Sequence, residues 1–400
     1  MENKNFKDLG ICEPILKAIT DQNFKEPTEI QSKTIPLVIN RRDVIGGSKT
    51  GSGKTLAFSC GIIQHVIPGQ GIQALILVPT RELAEQVGQA FRTFSKYKKV
   101  NIAMVYGGVS IMPQIKNLQS ADVVVGTPGR ILDHMERKTI SFKKVETLVL
   151  DEADLMLDMG FLPDVEKIIK QVPKQRQTLL FSATISNDIY YIKDKYMENP
   201  ESVAVEETVS KEFLKQEYYD VPKKNKFALL VHLLKEDKDG LVMVFCNTRM
   251  NVDFVEKNLR LNKIKARSIH GGNTQAKRTA ILNEFHSGKH QVLVCTDVAA
   301  RGLDIKGVSH VYNYDTCKDP KQYVHRIGRT ARAGHEGKAV TLLSQRDYEN
   351  FNKVVDTNKM EIIAKKLPVF ERVIMETEDN DNDRSNRNNF NNRDGRSNFG

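Results

Sequence analysis

At 400 residues, 40% of them hydrophobic, the chain is too long for one ordinary domain and apolar enough to bury two separate cores. No run approaches the ~18 consecutive apolar residues of a membrane span, and the opening MENKNFKDLG lacks the layout of a secretory signal, so a soluble, cytoplasmic protein without a membrane partner is expected. A formal net charge of +10 favours a polyanionic partner; Cys12, Cys60, Cys246, Cys295 and Cys317 lie scattered without pairing or metal-ligand spacing, which fits free thiols in a reducing compartment and implies no structural zinc.

In chain order, DVIGGSKTGSGKT, QALILVPTREL, DVVVGTPGR, TLVLDEAD and QTLLFSAT each join a short apolar run to a small or polar cluster, with a helical pattern after it. Apolar runs of that length, bounded by turn residues, predict buried strands of a parallel sheet with helices on both faces. LVMVFCNT, KARSIHG, HQVLVCTD, SHVYNYD and GKAVTLL repeat the theme in the second half. The expected organisation is α/β, with a first domain over 1–207, a linker over 208–216 and a second domain over 217–370. Ligands of such sheets sit beyond the carboxyl ends of the strands, and the cleft between the domains is the expected active site. Residues 378–400 lose their aliphatic side chains to Asn, Asp, Arg and Gly, which predicts a disordered tail that cannot pay for its own ordering; a role as an RNA-contacting arm is the second reading.

The sharpest chemical signal is the loop Ser48-Lys49-Thr50-Gly51-Ser52-Gly53-Lys54-Thr55, set between an apolar run and a helical pattern. Backbone N–H groups of such a loop cradle phosphates, Lys54 reaches the β- and γ-phosphates, and Thr55 holds magnesium. A phosphate loop needs an acid at the end of a neighbouring strand. TLVLDEAD supplies Asp151 for the metal and Glu152 to orient and deprotonate the attacking water. A nucleoside triphosphate with Mg2+ is the ligand this pattern implies.

With Asp151-Glu152-Ala153-Asp154 and an ordered series of further motifs from about Phe6 to about Phe370, the chain resembles the DEAD-box ATP-dependent RNA helicases of superfamily two. That resemblance implies two tandem RecA-like domains. Phe24 and Pro27-Thr28-Glu29-Ile30-Gln31 resemble the family's adenine-reading element, with Phe24 to stack on the base and the Gln31 amide to read its edge. Pro79, Thr80 and Arg81, then Gly107 and Gly108, then Thr127, Pro128 and Arg130 match its RNA-backbone contacts in the first domain. His270, Gly271, Gln275, Arg278, Thr296 and Asp297 match those in the second, and Phe245-Cys246-Asn247-Thr248 matches a strand-end motif of mixed structural and RNA role.

The same resemblance has further implications. Ser182-Ala183-Thr184 matches the coupling motif, and Asp154, Ser182, Thr184, His325 and Arg326 are the expected links between acidic cluster and coupling. Gly302 and Asp304 would touch the nucleotide, Asp304 at the ribose. Arg329 and Arg332 would reach across the cleft as arginine fingers, a device worth about 10³ to 10⁵ in rate. The chain departs from the family at Asn23 and Ala331, where glycine is usual, at Ser48, where alanine is frequent, and at Gly272, where aspartate commonly follows His-Gly.

The implied activity is RNA-stimulated ATP hydrolysis that separates short RNA duplexes locally and non-processively, or remodels RNA–protein complexes. RNA would be bound through sequence-independent backbone contacts with no preference for DNA, and protein regulators fit the missing specificity. An ATP-gated RNA clamp or assembly factor with slow or partner-controlled hydrolysis is the alternative. A DNA helicase is the third reading, disfavoured by the adenine-reading segment and by Asp154, Thr330 and Ala331.

Overall fold

Aliphatic runs alternating with amphipathic helices build two seven-stranded, wholly parallel sheets in a computed structural model describing residues 5–47, 52–184, 186–204, 213–237, 240–300, 303, 305, 307–331 and 336–376. The chain forms two compact units.

The first unit contains strands β1 (Val44–Gly47), β2 (Ala74–Leu77), β3 (Ile102–Val105), β4 (Val123–Gly126), β5 (Thr147–Leu150), β6 (Gln177–Ser182) and β7 (Glu201–Ala204), in the spatial order β3-β4-β2-β5-β6-β1-β7. Its helices are α1 (Glu13–Asp21), α2 (Glu29–Ile39), α3 (Lys54–His65), α4 (Arg81–Phe94), α5 (Met112–Leu118), α6 (Pro128–Glu136), α7 (Ala153–Asp158), α8 (Leu162–Ile169) and α9 (Asn187–Tyr196). Successive strand residues point to opposite faces, so the sheet separates two cores. Ile76, Val125 and Phe181 pack with Phe58 of α3 and Phe91 of α4. Leu75, Val124, Leu148 and Leu180 pack on the other face with Ile131 of α6 and Ile168 of α8. Each such side chain contributes about 1.5–3 kcal/mol by leaving water.

The second unit contains β8 (Leu214–Asp220), β9 (Leu241–Phe245), β10 (Ala266–Ile269), β11 (Val292–Cys295), β12 (Val308–Asn313), β13 (Gly337–Leu343) and β14 (Ile363–Lys365). Between them run α10 (Lys226–Glu236), α11 (Arg249–Leu261), α12 (Gln275–His286), α13 (Asp297–Ala300), α14 (Pro320–Ile327) and α15 (Tyr348–Asn358). The order β10-β11-β9-β12-β13-β8-β14 repeats that of the first sheet strand for strand. Every carboxyl end within a parallel sheet lies along one edge, so both units gather their loop chemistry there.

Two boundaries differ from the sequence expectation. Leu214, Lys215 and Gln216, read as linker, are the start of β8 and pair with Gly337, Lys338 and Ala339 of β13. Their polar, half-buried alternation hid a strand that sits one place from the sheet edge. The second unit also continues past residue 370. Asn258 of α11 and Asn262, the residue that caps its carboxyl end, exchange hydrogen bonds with the backbone of Glu376 and Ile374, strapping that segment to the helix. The tail over 378–400 lies outside the described residues.

Candidate active site and nucleic-acid surfaces

The phosphate loop leaves β1 and enters α3. Ser48, Lys49, Thr50 and Gly51 lie outside the described residues; Ser52, Gly53, Lys54 and Thr55 lie at the helix start, with Lys54 its first residue. Gly53 has φ +94°, and a Cβ there would collide with the Gln31 amide nitrogen, so only glycine fits. Thr28 and Gln31 form a capping box on α2: the Gln31 Oε1 accepts from the Thr28 N–H at 2.9 Å. The same two side chains hold the loop. The Thr28 hydroxyl donates to the Ser52 carbonyl at 2.8 Å, and Gln31 Nε2 donates to the Gly53 carbonyl at 3.1 Å.

Each end of the Gln31 amide makes one bond inside the protein, and a second N–H and a second lone pair remain for a base edge. Phe24 is 47% exposed, its ring 6.4 Å from Phe94, and free to take a stacked partner. Asn23, beside it, adopts φ +57°, a left-handed conformation that asparagine tolerates better than other non-glycine residues.

Across the sheet, β5 delivers Asp151 and Glu152 to the same carboxyl edge, both buried. Burial pushes the Asp151 carboxyl up to about 6, against the opposing pull of the Lys54 ammonium. Its Oδ1 accepts from the Glu152 N–H at 3.0 Å. Glu152 is itself left-handed, φ +48°, at the cap of α7. Such strain in a non-glycine residue costs about 1–3 kcal/mol and concentrates at functional sites.

One turn further, Asp154 Oδ2 accepts from both the N–H and the hydroxyl of Thr184, at 2.9 and 3.0 Å. The Ser182 hydroxyl donates to the Thr184 carbonyl at 2.6 Å. The structure thus ties the loop after β6 to the acidic turn after β5.

The candidate RNA-contacting residues of the first unit converge as well. Thr80 caps α4 by accepting from the Leu83 N–H, a bond worth about 1 kcal/mol. Arg81, the next residue, lies over Gly107 and Gly108 so closely that a Cβ on Gly108 would overlap its guanidinium; Gly108 also has φ +77°. Arg130 donates to the Val109 carbonyl at 3.2 and 3.3 Å. Pro79 and Pro128 are buried, and Pro128 opens α6, so their rings shape turns and leave only the main chain to a ligand. Thr127 stands half-exposed between β4 and α6.

In the second unit, Gln275 opens α12, and Arg278 one turn on donates to the Ala299 carbonyl at 3.4 Å, beside half-exposed Thr296. The His270 ring is spent on the turn after β10: its Nδ1 accepts from the Gly272 N–H at 3.1 Å, and its Nε2 lies 3.0 Å from Asp253. His325 lies on α14, and Arg329, further along the chain, is buried. Ala331 takes φ +53°, so the alanine stands where the backbone favours the family's glycine. Gly302, Asp304 and Arg332 lie outside the described residues.

Two side chains expected to reach outward make their observed bonds inside the second unit. Arg326, expected to couple the acidic cluster to the first unit's tripeptide, is 1% exposed and spends all five N–H donors within its own unit. It grips Asp297 at 2.6 and 2.7 Å, the Asp315 carbonyl at 2.6 Å, Asn247 at 2.8 Å and Asn313 at 3.3 Å, above the Phe245 ring. Asp297, expected at the RNA, has both carboxylate oxygens on that arginine. A guanidinium that far inside needs full pairing, which outweighs any role reaching outward.

Arg249 went unassigned in the sequence. It is the first residue of α11, behind the cap Thr248, and a Cβ on Gly271 would lie 2.9 Å from its guanidinium. Thr80 and Arg81 stand three and four residues beyond the end of β2; Thr248 and Arg249 stand three and four beyond the end of β9. That repeated offset was the available signal.

The profile of the DEAD/DEAH box helicase family matches residues 28–192, and that of the helicase conserved C-terminal domain matches residues 225–334. The chain is 46% identical over 369 residues to the ATP-dependent RNA helicase CshA of Listeria monocytogenes, covering 92% of this chain and 71% of that protein. It is 44% identical to the DEAD-box ATP-dependent RNA helicase CshA of Geobacillus kaustophilus, covering 92% and 80%. Among solved structures, S. cerevisiae Dbp5 bound to RNA and ADP BeF3 superposes with a TM-score of 0.82 at 30% identity, covering 90% of this chain and 95% of that one.

Proposed function

This chain belongs to the DEAD-box family of ATP-dependent RNA helicases, and from that premise we propose that it spends ATP to pull apart short RNA duplexes locally and non-processively, or to remodel RNA–protein complexes. The observation that carries the reading is the Asp154–Thr184 clasp, which sets Asp151, Glu152 and the loop after β6 on one rigid turn. A shift at the triphosphate then moves that loop with it.

Each residue has a task in this reading. Lys54 and the loop N–H groups bind the phosphates, Phe24 stacks on the base, and Gln31 reads its edge with the amide N–H and lone pair not used on Gly53 and Thr28. Glu152 accepts a proton from the attacking water, and its constrained backbone aims the carboxylate. Arg329 and Arg332 supply positive charge to the transferring phosphoryl group from the second unit, so hydrolysis requires both units. Thr55 and Asp151 would hold magnesium. The donor set fits: Asp151 offers a hard carboxylate oxygen whose charge Lys54 favours, and Mg2+ binds through one or two carboxylates plus substrate phosphates. The ion would neutralise charge on the β- and γ-phosphate oxygens.

RNA lies along Arg81, Gly107–Gly108, Thr127 and Arg130, then along Gly271, Gln275, Arg278 and Thr296. These groups suit phosphate and sugar, so binding is largely blind to sequence. Stacking averages about 1.4 kcal/mol per step and micromolar binding supplies about 8 kcal/mol. Only a few base pairs yield per cycle.

The test is ATP turnover with and without RNA, followed by displacement of short and long duplexes in RNA and DNA forms. Turnover is expected to rise with RNA, and short RNA duplexes to separate while long ones and DNA persist. If RNA leaves turnover unchanged while ATP still tightens RNA binding, the chain is an ATP-gated clamp.

A further inference from the structure

The second unit holds a cavity of about 690 Å³ at the carboxyl edge of its sheet, within the size range of small-ligand sites. The residues after β8 (Lys223, Lys224), β12 (Tyr314) and β13 (Arg346) meet there. Those strands occupy the places of β1, β5 and β6, whose ends carry the phosphate loop, the acidic turn and the coupling loop. The cavity is therefore the positional counterpart of the first unit's nucleotide site.

Its chemistry is inverted. The acids at its floor are each engaged through one oxygen: Asp315 Oδ2 accepts from the Asn247 N–H and Asn251 Nδ2, and Asp347 Oδ2 accepts from Lys226, the Ser344 N–H and the Ser344 hydroxyl. Lys226, the first residue of α10 as Lys54 is of α3, is buried in that pairing at 2.9 Å and lies over the Tyr314 ring. Lys223, Lys224 and Arg346 are exposed at the rim, and among the described residues no carboxylate pairs with them. Phe254 and Met375 add an apolar wall, Met375 carried by the segment that Asn258 and Asn262 strap down.

We propose that this cavity is a second nucleotide site, taking a nucleoside polyphosphate with its phosphates among Lys223, Lys224 and Arg346 and its base against Phe254, Tyr314 and Met375. Three rim cations match the charge of a di- or triphosphate, and guanidinium and ammonium groups beside aromatic rings suit an anion that ends in a flat base. Asp315 and Asp347 each hold protein donors on one carboxylate oxygen, and no pair of adjacent acids like Asp151-Glu152 stands at the end of β12, so the site binds without hydrolysing. An RNA strand fits less well. The RNA candidates Gln275, Arg278 and Thr296 stand at the ends of β10 and β11, whereas this cavity spans β9, β12, β13 and β8 and is closed on one side by Met375.

The test is equilibrium dialysis of the full chain against labelled ADP up to ~1 mM. Two equivalents are expected per wild-type chain. Lys54→Ala should lose the tighter one, and Lys223→Ala/Lys224→Ala/Arg346→Ala should lose the weaker one with basal ATP turnover unchanged. Arg346→Glu alone, at an exposed position, should weaken the second equivalent about tenfold or more, and pyrophosphate should compete for it less well than ADP. A single equivalent in the wild type overturns the proposal. So does a triple variant that keeps the second equivalent, or pyrophosphate competing as well as ADP. If the triple variant weakens RNA binding and the wild type takes one nucleotide, the rim belongs to RNA.

Discussion

The two units share a strand order and differ in the residues that cap each strand's carboxyl end. At the end of β5 the first unit has Asp151-Glu152, two buried acids with one raised in pKa; at the end of β12 the second has Tyr314-Asp315, an aromatic and a carboxylate already bonded to two asparagines. At the ends of β2 and β9 the pattern is instead kept, as Thr80-Arg81 and Thr248-Arg249, each arginine over a glycine turn. The strand order appears twice, the arginine over a glycine turn appears twice, and the adjacent pair of buried acids stands in one copy only. A parallel sheet fixes where loops emerge and leaves their chemistry open.

The largest test of that asymmetry is Glu152→Gln. Phosphate release should fall by about 10²–10⁴, while ATP-dependent RNA binding persists; substantial residual turnover would remove Glu152 from its role. Next in size is Arg326→Ala, which strands Asp297 and three other acceptor groups inside the second unit. It should destabilise that unit by about 3–5 kcal/mol, seen as a lowered second transition in thermal unfolding, with Arg81→Ala, a half-exposed residue, as the mild comparison. Two melting curves shifted alike would mean that the bonds of Arg326 are not central to the second unit.

Smaller is the pH response of the acidic turn. Burial raises Asp151 to about 6, above the ~3.9 of an unfolded aspartate. The folded chain thus gains from protonation as pH falls from about 6 toward 4, while the charged form that would hold magnesium is lost over the same window. Magnesium-dependent nucleotide affinity should be about tenfold weaker at pH 5 than at pH 7, and Asp151→Asn should retain only the nucleotide's own pH dependence. An unchanged ratio between the two proteins would rule the carboxyl out as the titrating group. The smallest effect is expected for Arg249→Ala. RNA affinity should drop across all sequences with the salt slope reduced by about one, as for Arg81→Ala, and loss confined to particular sequences would break the parallel.

Strands buried on both faces were legible because each carries an unbroken apolar stretch: ALIL in β2, VVV in β4, LVL in β5 and LLF in β6. Four strands near the margins were not, although the edge strand β10 and the near-edge β1 and β4 were read. β3, β7 and β14 lie at sheet margins, and β8, next to β14, reads as charged alternation, since a half-exposed strand needs little apolar character.

By itself the sequence determined which groups sit at the strand ends, because phosphate loop, acidic turn and coupling tripeptide are each contiguous and come directly after their own apolar run. Only the tertiary structure decided which of those groups are already spoken for. Gln31 closes on Gly53 from 22 residues away, and Arg326 finds Asp297 and Asn247 across 29 and 79 residues. Such partners meet because crossovers in a parallel sheet bring distant strand ends side by side, and a buried polar group takes whichever complement is within reach.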